Sequence, residues 1–404
     1  MKALILDAHS VAALECVRSL GKRGMDVVAA GSAGSFSIAA CSRYCARYLS
    51  YRSPSEGVDR FILDFRKILE AERPDVTILS TDATILPVCR NRGVFRGLTR
   101  LALPEDDALG TASDKVATLE LAMRLGIPVP ETAFIGSRED LSRALTSMGP
   151  PLVAKPGASR VIEDGRVSGR RVPVFIRDKN DCAAFYSSEG SLAGYPILQE
   201  WRPGFGVGVS GVFDRGRPCA LFFHRRLREE HPQGGRSAYC ESCEPDEGMK
   251  AYAMSLMSGL AWHGPAMVEF RVGDDGIARL MEINGRLWGS LPLAVASGVD
   301  VPWIIYRLAL GEDILMSEKC CPGRRGRYLV ADINHLMSVM KGKPAGWPGP
   351  YPARAGALAG FIGAFFREAT YFTWRRDDPA PGFRELMRFL PEVAGRVARR
   401  RLSK

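Results

Sequence analysis

Two short apolar runs that each carry an acidic residue constrain the fold of this chain more than any other feature. They lie at residues 267–271 and 280–286, and the connection between them contains the triplet Asp-Asp-Gly, which is typical of a β-hairpin turn. A hairpin would set Glu269 and Glu282 side by side. The alternation of side chains along a strand would put Asn284 on the face that carries Glu282.

Two carboxylates and an amide on adjacent strands match the ligands that Mg²⁺ uses beside a nucleotide. Magnesium is a hard cation that takes one or two carboxylates and fills its remaining positions with water and phosphate oxygens. Arg286 lies two residues beyond Asn284, where its guanidinium could contact phosphate oxygens. On these residues alone, an exposed hairpin with charged side chains explains the pattern equally well.

The length and composition of the chain indicate a globular protein of more than one domain. A chain of 404 residues exceeds what one compact core accommodates, so two or three domains are expected. No apolar run is long enough to span a bilayer. Residues 1–7 meet an acid after a few apolar positions, which predicts a first buried strand and not a signal peptide. We therefore expect a cytoplasmic protein.

The ten cysteines are scattered along the chain and predict no disulfide framework. Cys240 and Cys243 form one CxxC pair, but no second pair at zinc-ligand spacing accompanies it. We expect reduced thiols with structural or incidental roles.

The positive charge and one apolar segment leave membrane contact open. The net charge is +10, and residues 384–404 hold seven basic and two acidic residues, a local charge of +5. The apolar run 355–366 is shorter than a membrane span and predicts a buried or interfacial helix. A basic tail can meet anionic lipid, nucleic acid or an acidic partner, although a solvated helix end explains it too. We expect no specific nucleic acid partner.

The first eighty residues alternate between strand and helix patterns. The predicted strands are residues 3–6, 27–30 and 75–80, and the predicted helices are residues 10–23 and 59–72. This alternation predicts a doubly wound parallel sheet. The first strand is followed by Asp-Ala-His-Ser without G-x-G-x-x-G, which argues against a dinucleotide-dependent dehydrogenase.

The second part of the chain begins with a helix that opens at Ser113 and ends near residue 125. Further strands are predicted at 151–156, at 196–201 and on both sides of the turn 214–216. The polar stretch 229–244 predicts a mobile loop over a site.

Charged and amide residues then follow in an order that suits the binding of a nucleoside triphosphate. A helix carries Lys115, and the strand before a small-residue loop carries Lys155. Two lysines and an arginine can balance the phosphate charge, while the loop can donate backbone N–H groups to phosphate oxygens. A glutamate at the strand end Gln199-Glu200-Trp201 can recognise the edge of adenine.

This order resembles the ATP-grasp superfamily over roughly residues 1–315. The resemblance implies roles for individual residues: Lys115 and Lys155 as phosphate-binding lysines, Ser159 in the lid loop, Gln199, Glu200 and Trp201 at the adenine hinge, Glu269, Glu282 and Asn284 as ligands of Mg²⁺ or Mn²⁺, and Arg286 at the transferring phosphoryl group. Lys155 and Arg286 are then catalytic, with Arg226 and Arg236 as further contacts to phosphate or to an acidic substrate.

Three departures from the family pattern are visible. Residues 204–208 lack the second glutamate that commonly holds the ribose hydroxyls, the lid loop is poor in glycine, and Gly285 stands where many members have proline. We therefore expect either that the ribose is held differently here or that the nucleotide binds with lower affinity.

The resemblance implies an α/β fold in three parts. Residues 1–112 would form a doubly wound domain, and residues 113–315 a two-lobed ATP-grasp domain with antiparallel sheets and a lid at 126–195. Residues 316–404 would form a helical extension with a basic tail. The oligomeric state is not predicted by the sequence.

The implied function is an ATP- and Mg²⁺-dependent ligase with small-molecule substrates. A substrate carboxylate would be activated as an acyl phosphate and attacked by an amine. A carbamoyl-phosphate-synthase-like carboxylating enzyme that uses bicarbonate, a catalytically silent ATP-binding module, and a nucleic acid or membrane-surface protein remain alternatives. The fold does not choose among substrates.

Overall fold

The computed structural model describes residues 1–169, 172–188, 194–316 and 320–402, with side chains described up to residue 391. The N-terminal part holds a parallel sheet in the order β3-β2-β1-β4. Its strands are β1 Lys2–Ile5, β2 Asp26–Ser32, β3 Arg47–Tyr51 and β4 Val76–Ile78. The helices here are α1 Val11–Lys22, α2 Val58–Glu72, α3 Asp82–Arg90, α4 Arg92–Phe95 and α5 Asp106–Ser113, with a 3₁₀ turn at Ala39–Cys41.

Helices cover both faces of this sheet, as the predicted doubly wound fold requires. Successive residues of β1 point to opposite faces, so Ile5 packs in the core that contains α1 and Leu4 packs in the core that contains α2. Ser10 starts α1 because its hydroxyl accepts a hydrogen bond from the Ala13 N–H at 2.9 Å.

A second, antiparallel sheet follows in the order β5-β10-β6-β9. Its strands are β5 Thr132–Phe134, β6 Leu152–Lys155, β9 Val174–Ile176 and β10 Ile197–Glu200, and the neighbouring helices are α6 Lys115–Arg124, α7 Arg138–Met148 and α8 Lys179–Ser187. Most of this sheet lies within residues 126–195, the range in which the lid is expected, although β10 lies beyond it. Residues 170–171 and 189–193 of that range lie outside the described residues.

The helix predicted to open at Ser113 begins one residue later. Ser113 is the last residue of α5, and the carboxylate of Asp114 caps α6 by accepting from the N–H of Val116 at 2.8 Å. A short carboxylate at the N-cap satisfies a helix donor in the same way as serine, which explains why both residues fit the pattern.

A two-stranded ribbon connects the second sheet to the N-terminal part. The ribbon consists of β7 Ile162–Glu163 and β8 Arg166–Val167. The N–H of Val58 donates to the Gly165 carbonyl at 2.8 Å, and the N–H of Val167 donates to the Pro54 carbonyl at 3.0 Å. The Val167 side chain is buried in the core that contains α2.

The largest sheet has the order β15-β14-β11-β12-β13-β16-β17. Its strands are β11 Phe205–Asp214, β12 Arg217–His231, β13 Gly234–Ser242, β14 Gly264–Val272, β15 Ala278–Asn284, β16 Arg325–Arg327 and β17 Thr370–Tyr371. Residues from its two faces belong to the same two cores as the N-terminal sheet.

The prediction of a mobile loop at 229–244 is wrong. This stretch forms the end of β12, a tight turn and β13, with Glu229 opposite Ser237 and His231 opposite Gly234. Gly234 has a φ of +133°, which a turn of this kind requires and a larger residue rarely adopts. A ribbon with polar outer side chains has the composition of a loop, and composition alone does not separate the two.

The predicted helical extension also contributes strands β16 and β17 to the large sheet. Helices in the second half are α9 Glu247–Gly259, α10 Leu291–Ala296, α11 Val301–Ala309, α12 Leu329–Lys341, α13 Arg354–Gly363 and α14 Ala380–Leu402, with a 3₁₀ turn at Ala364–Phe366. The buried Arg18 guanidinium pairs with Asp378 at 2.8 Å and ties the extension to α1. Among the described residues, no helix is long and apolar enough to cross a membrane. Residues 403–404 of the basic tail lie outside the described part.

Candidate active site

The hairpin of β14 and β15 forms as the Asp-Asp-Gly turn predicts. Glu269 lies directly opposite Glu282 in the register of the two strands, so both side chains leave the same face of the sheet. Asn284 lies two residues along β15, and its amide donates to Glu282 Oε1 at 3.2 Å. Three oxygen-bearing side chains therefore meet on one face.

The residues that lie opposite one another on successive strands connect the two glutamates to a buried histidine further across the sheet. Gly208 lies opposite both Glu269 and His224. A Cβ on Gly208 would lie 2.4 Å from Cε1 of His224, so the histidine ring needs a glycine there. Burial, together with the nearby charge of Arg226, lowers the pKa of His224 to about 3. The ring is neutral, and its Nε2 lies 3.0 Å from the hydroxyl of Ser290.

Each glutamate of the pair is matched by a cation from another element. The ammonium of Lys115, at the first residue of α6, donates to Glu282. The guanidinium of Arg226 donates to Glu269 Oε2 at 2.5 Å and to Glu229 Oε1 at 2.8 Å. These pairs draw β12, β14, β15 and α6 together around one charged centre.

The two carboxyl groups have opposite pKa shifts. Burial raises the pKa of Glu269, against the opposing charge of Arg226. Burial favours a raised pKa for Glu282 as well, but the charge and hydrogen bond of Lys115 outweigh it and hold that pKa well below its usual range. An adjacent divalent cation would stabilise the ionised form of both groups.

Lys155 approaches the same centre from the second sheet. It ends β6, and its ammonium donates to the side-chain oxygen of Gln199 at 2.5 Å. Burial, and then the charge of Lys115, lower the pKa of Lys155 to about 8 despite the two nearby glutamates. An anionic ligand placed beside this lysine would favour its charged form.

Arg286 links the hairpin to helix α3 of the N-terminal part. Its guanidinium donates to Asn284 Oδ1 at 2.7 Å and to Asp82 Oδ2 at 3.1 Å. The sequence reading missed Asp82, the first residue of α3, and it also missed Glu229. A usable signal was present for Asp82, because polar residues that directly follow a parallel strand lie at the carboxyl edge of its sheet.

The turn that carries Asp82 is held by Asp7. The carboxylate of Asp7 accepts hydrogen bonds from the N–H groups of Ser80 at 3.0 Å and Thr81 at 2.9 Å, and from the hydroxyl of Thr84 at 2.7 Å. Asp7 has a φ of +58°, an uncommon conformation that these bonds stabilise. The start of α3 is thereby placed beside the hairpin.

The small-residue loop after β6 also reaches the centre. Ser159 lines a small cleft together with Lys115, Glu282 and Asn284. The N–H of Lys115 donates to the Gly157 carbonyl at 2.7 Å, which fixes the loop to the start of α6.

The side chains predicted at the adenine hinge have partners within the protein. Gln199 binds Lys155, as described above. Glu200 accepts from the N–H of Glu131 at 2.9 Å and pairs with Arg202 at 2.8 Å. The ring of Trp201 contacts that of Trp347 edge to face, with centroids 5.4 Å apart.

Arg236 makes its contacts away from the glutamate pair. Its guanidinium binds Glu230 at 2.7 Å and lies 5.0 Å from the centre of the Tyr328 ring. The structure therefore brings Lys115, Lys155, Ser159, Arg226 and Arg286 together with the hairpin residues but does not bring Arg236 to them.

The chemistry of the donor set fits a hard divalent cation. Glu269, Glu282 and Asn284 offer oxygen ligands, which suit Mg²⁺ or Mn²⁺ when phosphate and water complete the shell. Among the described residues, no group of three or more His, Cys, Asp or Glu side chains is placed to hold a metal by itself. All ten cysteines are free thiols.

Comparison with known proteins adds family information to this geometry. Residues 220–334 match the model of a family described as ATP-grasp in the biosynthetic pathway with Ter operon, a stretch that contains both hairpin glutamates. The biotin carboxylase–β,γ-ATP complex from Campylobacter jejuni has a similar structure, with a TM-score of 0.62 and 17% identity over 80% of this chain and 74% of that one. The segment 220–334 is therefore similar to an ATP-grasp family.

Two further relatives show how far this ATP-grasp likeness extends. The biotin carboxylase domain of 2-oxoglutarate carboxylase from Hydrogenobacter thermophilus, solved with MgADP and bicarbonate, has a TM-score of 0.60 and 14% identity over 80% of this chain and 73% of that one. The large chain of carbamoyl phosphate synthase from Vibrio cholerae is 23% identical over 217 residues, 52% of this chain but only 19% of that protein. The structural likenesses, at such low identity, establish the shared fold alone.

Proposed function

We propose that this protein is an ATP-grasp enzyme, an ATP- and Mg²⁺-dependent ligase that joins a small-molecule carboxylate to an amine. The observation that carries the proposal is the meeting of Glu269, Glu282 and Asn284 with cations from separate elements. A cluster of acids alone would repel a triphosphate. Here the cations would offset the phosphate charge, while the two acids and the amide would bind a divalent ion.

The proposed roles of the residues follow from their positions. Glu269, Glu282 and Asn284 would hold Mg²⁺ or Mn²⁺, which supplies charge neutralisation between phosphate oxygens when bound. Lys115 and Lys155 would bind and orient the phosphates, with Ser159 and its loop covering them. The last two residues of β10 and the residue after them, residues 199–201, would lie along the adenine.

The proposed chemistry needs no covalent intermediate on the protein. A carboxylate oxygen of the substrate attacks the γ-phosphorus, the bond to the β-phosphate oxygen breaks, and ADP leaves. The amine then attacks the acyl carbon of the acyl phosphate, loses a proton and releases phosphate. Arg286 and Lys155 would stabilise charge that develops on the transferred group, and the closed loop at 157–160 would exclude water.

The decisive experiment measures ADP release from MgATP in the presence of a pooled library of carboxylic acids and amines. We expect substrate-dependent ADP release that the Glu282→Gln variant lacks. Glu241→Gln is the matched control, because it makes the same substitution in the same sheet, at a glutamate that pairs with Arg225 at 2.8 Å. Full activity of Glu282→Gln would contradict the metal assignment, and nucleotide binding without turnover would favour a silent ATP-binding module.

A carboxylating reaction with bicarbonate as the acid is the second candidate. It is favoured by the likeness to a biotin carboxylase domain solved with MgADP and bicarbonate and by the partial match to carbamoyl phosphate synthase. The two reactions differ in their dependence on bicarbonate. ADP release that requires bicarbonate and incorporates its carbon into the product would decide for the carboxylating enzyme.

A further inference from the structure

The segment that consists of α13 and the 3₁₀ turn after it exposes an apolar surface to solvent. Residues 355–366 contain no charged or hydrogen-bonding side chain. None of the residues of α13 is buried, and Leu358, Ile362 and Phe365 are each about half exposed. Phe366 is 86% exposed. A helix at the surface of a soluble protein normally turns a polar face to water, so this surface indicates an interaction site.

A second apolar surface lies on α14. Phe383, Met387 and Leu390 are each at least half exposed. Their spacing of four and three residues puts them on one face of the helix. Phe389 belongs to the opposite, buried face. Arg384 accompanies the exposed stripe, so α14 has the pattern of a basic amphipathic helix.

Arg327, the last residue of β16, and the residue that follows it anchor both surfaces. The buried Arg327 guanidinium lies 4.1 Å from the centre of the Phe365 ring and donates to the Phe361 carbonyl at 3.0 Å. The hydroxyl of the next residue, Tyr328, donates to Glu385 of α14 at 2.7 Å. The inner sides of both helices are thus attached to the same edge of the protein, and their outer apolar residues remain uncovered.

We propose that α13, its 3₁₀ turn and α14 form a surface that docks on a membrane containing anionic lipid. The charges complement such a membrane, because Arg354 and Arg367 flank the apolar segment and residues 384–404 carry a net charge of +5. The apolar run is too short to span a bilayer but suits a helix that lies in the headgroup region.

The proposal does not depend on the ligase activity. It assigns different roles to the apolar side chains and to the arginines. The exposed aromatic and aliphatic side chains would enter the boundary between headgroups and acyl chains, and the arginines would contact lipid phosphates. Docking would bring the active site close to a membrane.

Sedimentation of the full chain with vesicles tests the proposal. Vesicles of phosphatidylcholine alone are compared with vesicles that also contain phosphatidylglycerol. We expect binding to the mixed vesicles that is at least about tenfold tighter and that weakens as salt is added. Equal binding to both compositions, or no binding to either, would overturn the proposal.

Variants test whether vesicle binding requires this surface or results from nonspecific electrostatic attraction. Phe366→Asp and Met387→Asp should each reduce binding to mixed vesicles about tenfold or more, and Arg367→Glu should reduce its salt dependence. Leu63→Asp is the matched control, because Leu63 of α2 is 55% exposed and lies on the N-terminal part. An equal loss in the control variant would overturn the proposal.

Light scattering after size exclusion distinguishes lipid from a second copy of the chain. A dimer that Phe366→Asp converts to a monomer would assign the surface to self-association and contradict the membrane proposal. Unchanged melting temperatures of the variants would show that the fold is intact, as expected for side chains that contact solvent.

Discussion

Glu269 and Glu282 lie directly opposite each other on β14 and β15, yet each is paired with a cation from a different part of the chain. Lys115 of α6 contacts Glu282, and Arg226 of β12 contacts Glu269. Two like charges this close would destabilise an isolated hairpin. The site therefore exists as a feature of the assembled fold, in which cations from two other elements offset the repulsion.

The glycine beside the glutamate pair should be intolerant of even a methyl group. In Gly208→Ala the new Cβ would lie 2.4 Å from the ring of His224, which is buried and cannot move freely. We expect a loss of about 1–3 kcal/mol in the free energy of unfolding, measured by urea denaturation.

Gly259→Ala is the control for this change. Gly259 ends α9, and a Cβ there would have no neighbour within 4 Å. The control should be neutral or slightly stabilising. Equal stability of the two variants would show that the ring of His224 does not enforce glycine at this place.

His224 should make the protein less stable in mild acid. Its pKa is about 3 in the folded protein and near 6.5 as an ordinary histidine. Between these values the unfolded chain binds more protons, so the free energy of unfolding falls as the pH falls. The difference between the wild type and His224→Gln should change by about 2 kcal/mol from pH ~7.5 to pH ~5. Urea denaturation at both pH values measures it, and parallel pH profiles would contradict the lowered pKa.

Lys155 should make nucleotide affinity depend on pH. With a pKa of about 8, its charge is lost as the pH rises through that value in the free protein. We expect ATP to bind several-fold more weakly at pH ~9 than at pH ~7. In Lys155→Arg this dependence should largely disappear, because guanidinium remains charged. Calorimetric titration provides the measurement, and an identical pH dependence in the variant would remove Lys155 from the phosphate site.

The ribbon of β7 and β8 should restrain the loop that covers the site. Val167 is 2% exposed and holds the ribbon against the N-terminal part. Val167→Asp should release the ribbon, speed proteolytic cleavage near residues 160–168 and lower the stability by about 1–3 kcal/mol. Val172→Asp, at a residue 67% exposed, should leave cleavage unchanged. Equal cleavage of both variants would argue against this contact.

Local sequence specified several elements of this protein, although strand β3 was not predicted. The strand and helix alternation of the N-terminal part follows from short-range hydrophobic periodicity, and the hairpin of Glu269 and Glu282 follows from its turn residues. The same locality explains the error at 229–244, because a polar ribbon and a polar loop have similar composition.

The partners in the site were decided only by the tertiary structure. Lys115 and Glu282 are 167 residues apart in the chain, and Asp82 and Arg286 are 204 residues apart. No periodicity or turn signal encodes a pair at such a separation, since the packing of three sheets determines which side chains meet. The sequence alone specifies which chemical groups are available, and the fold decides which of them share one charged centre.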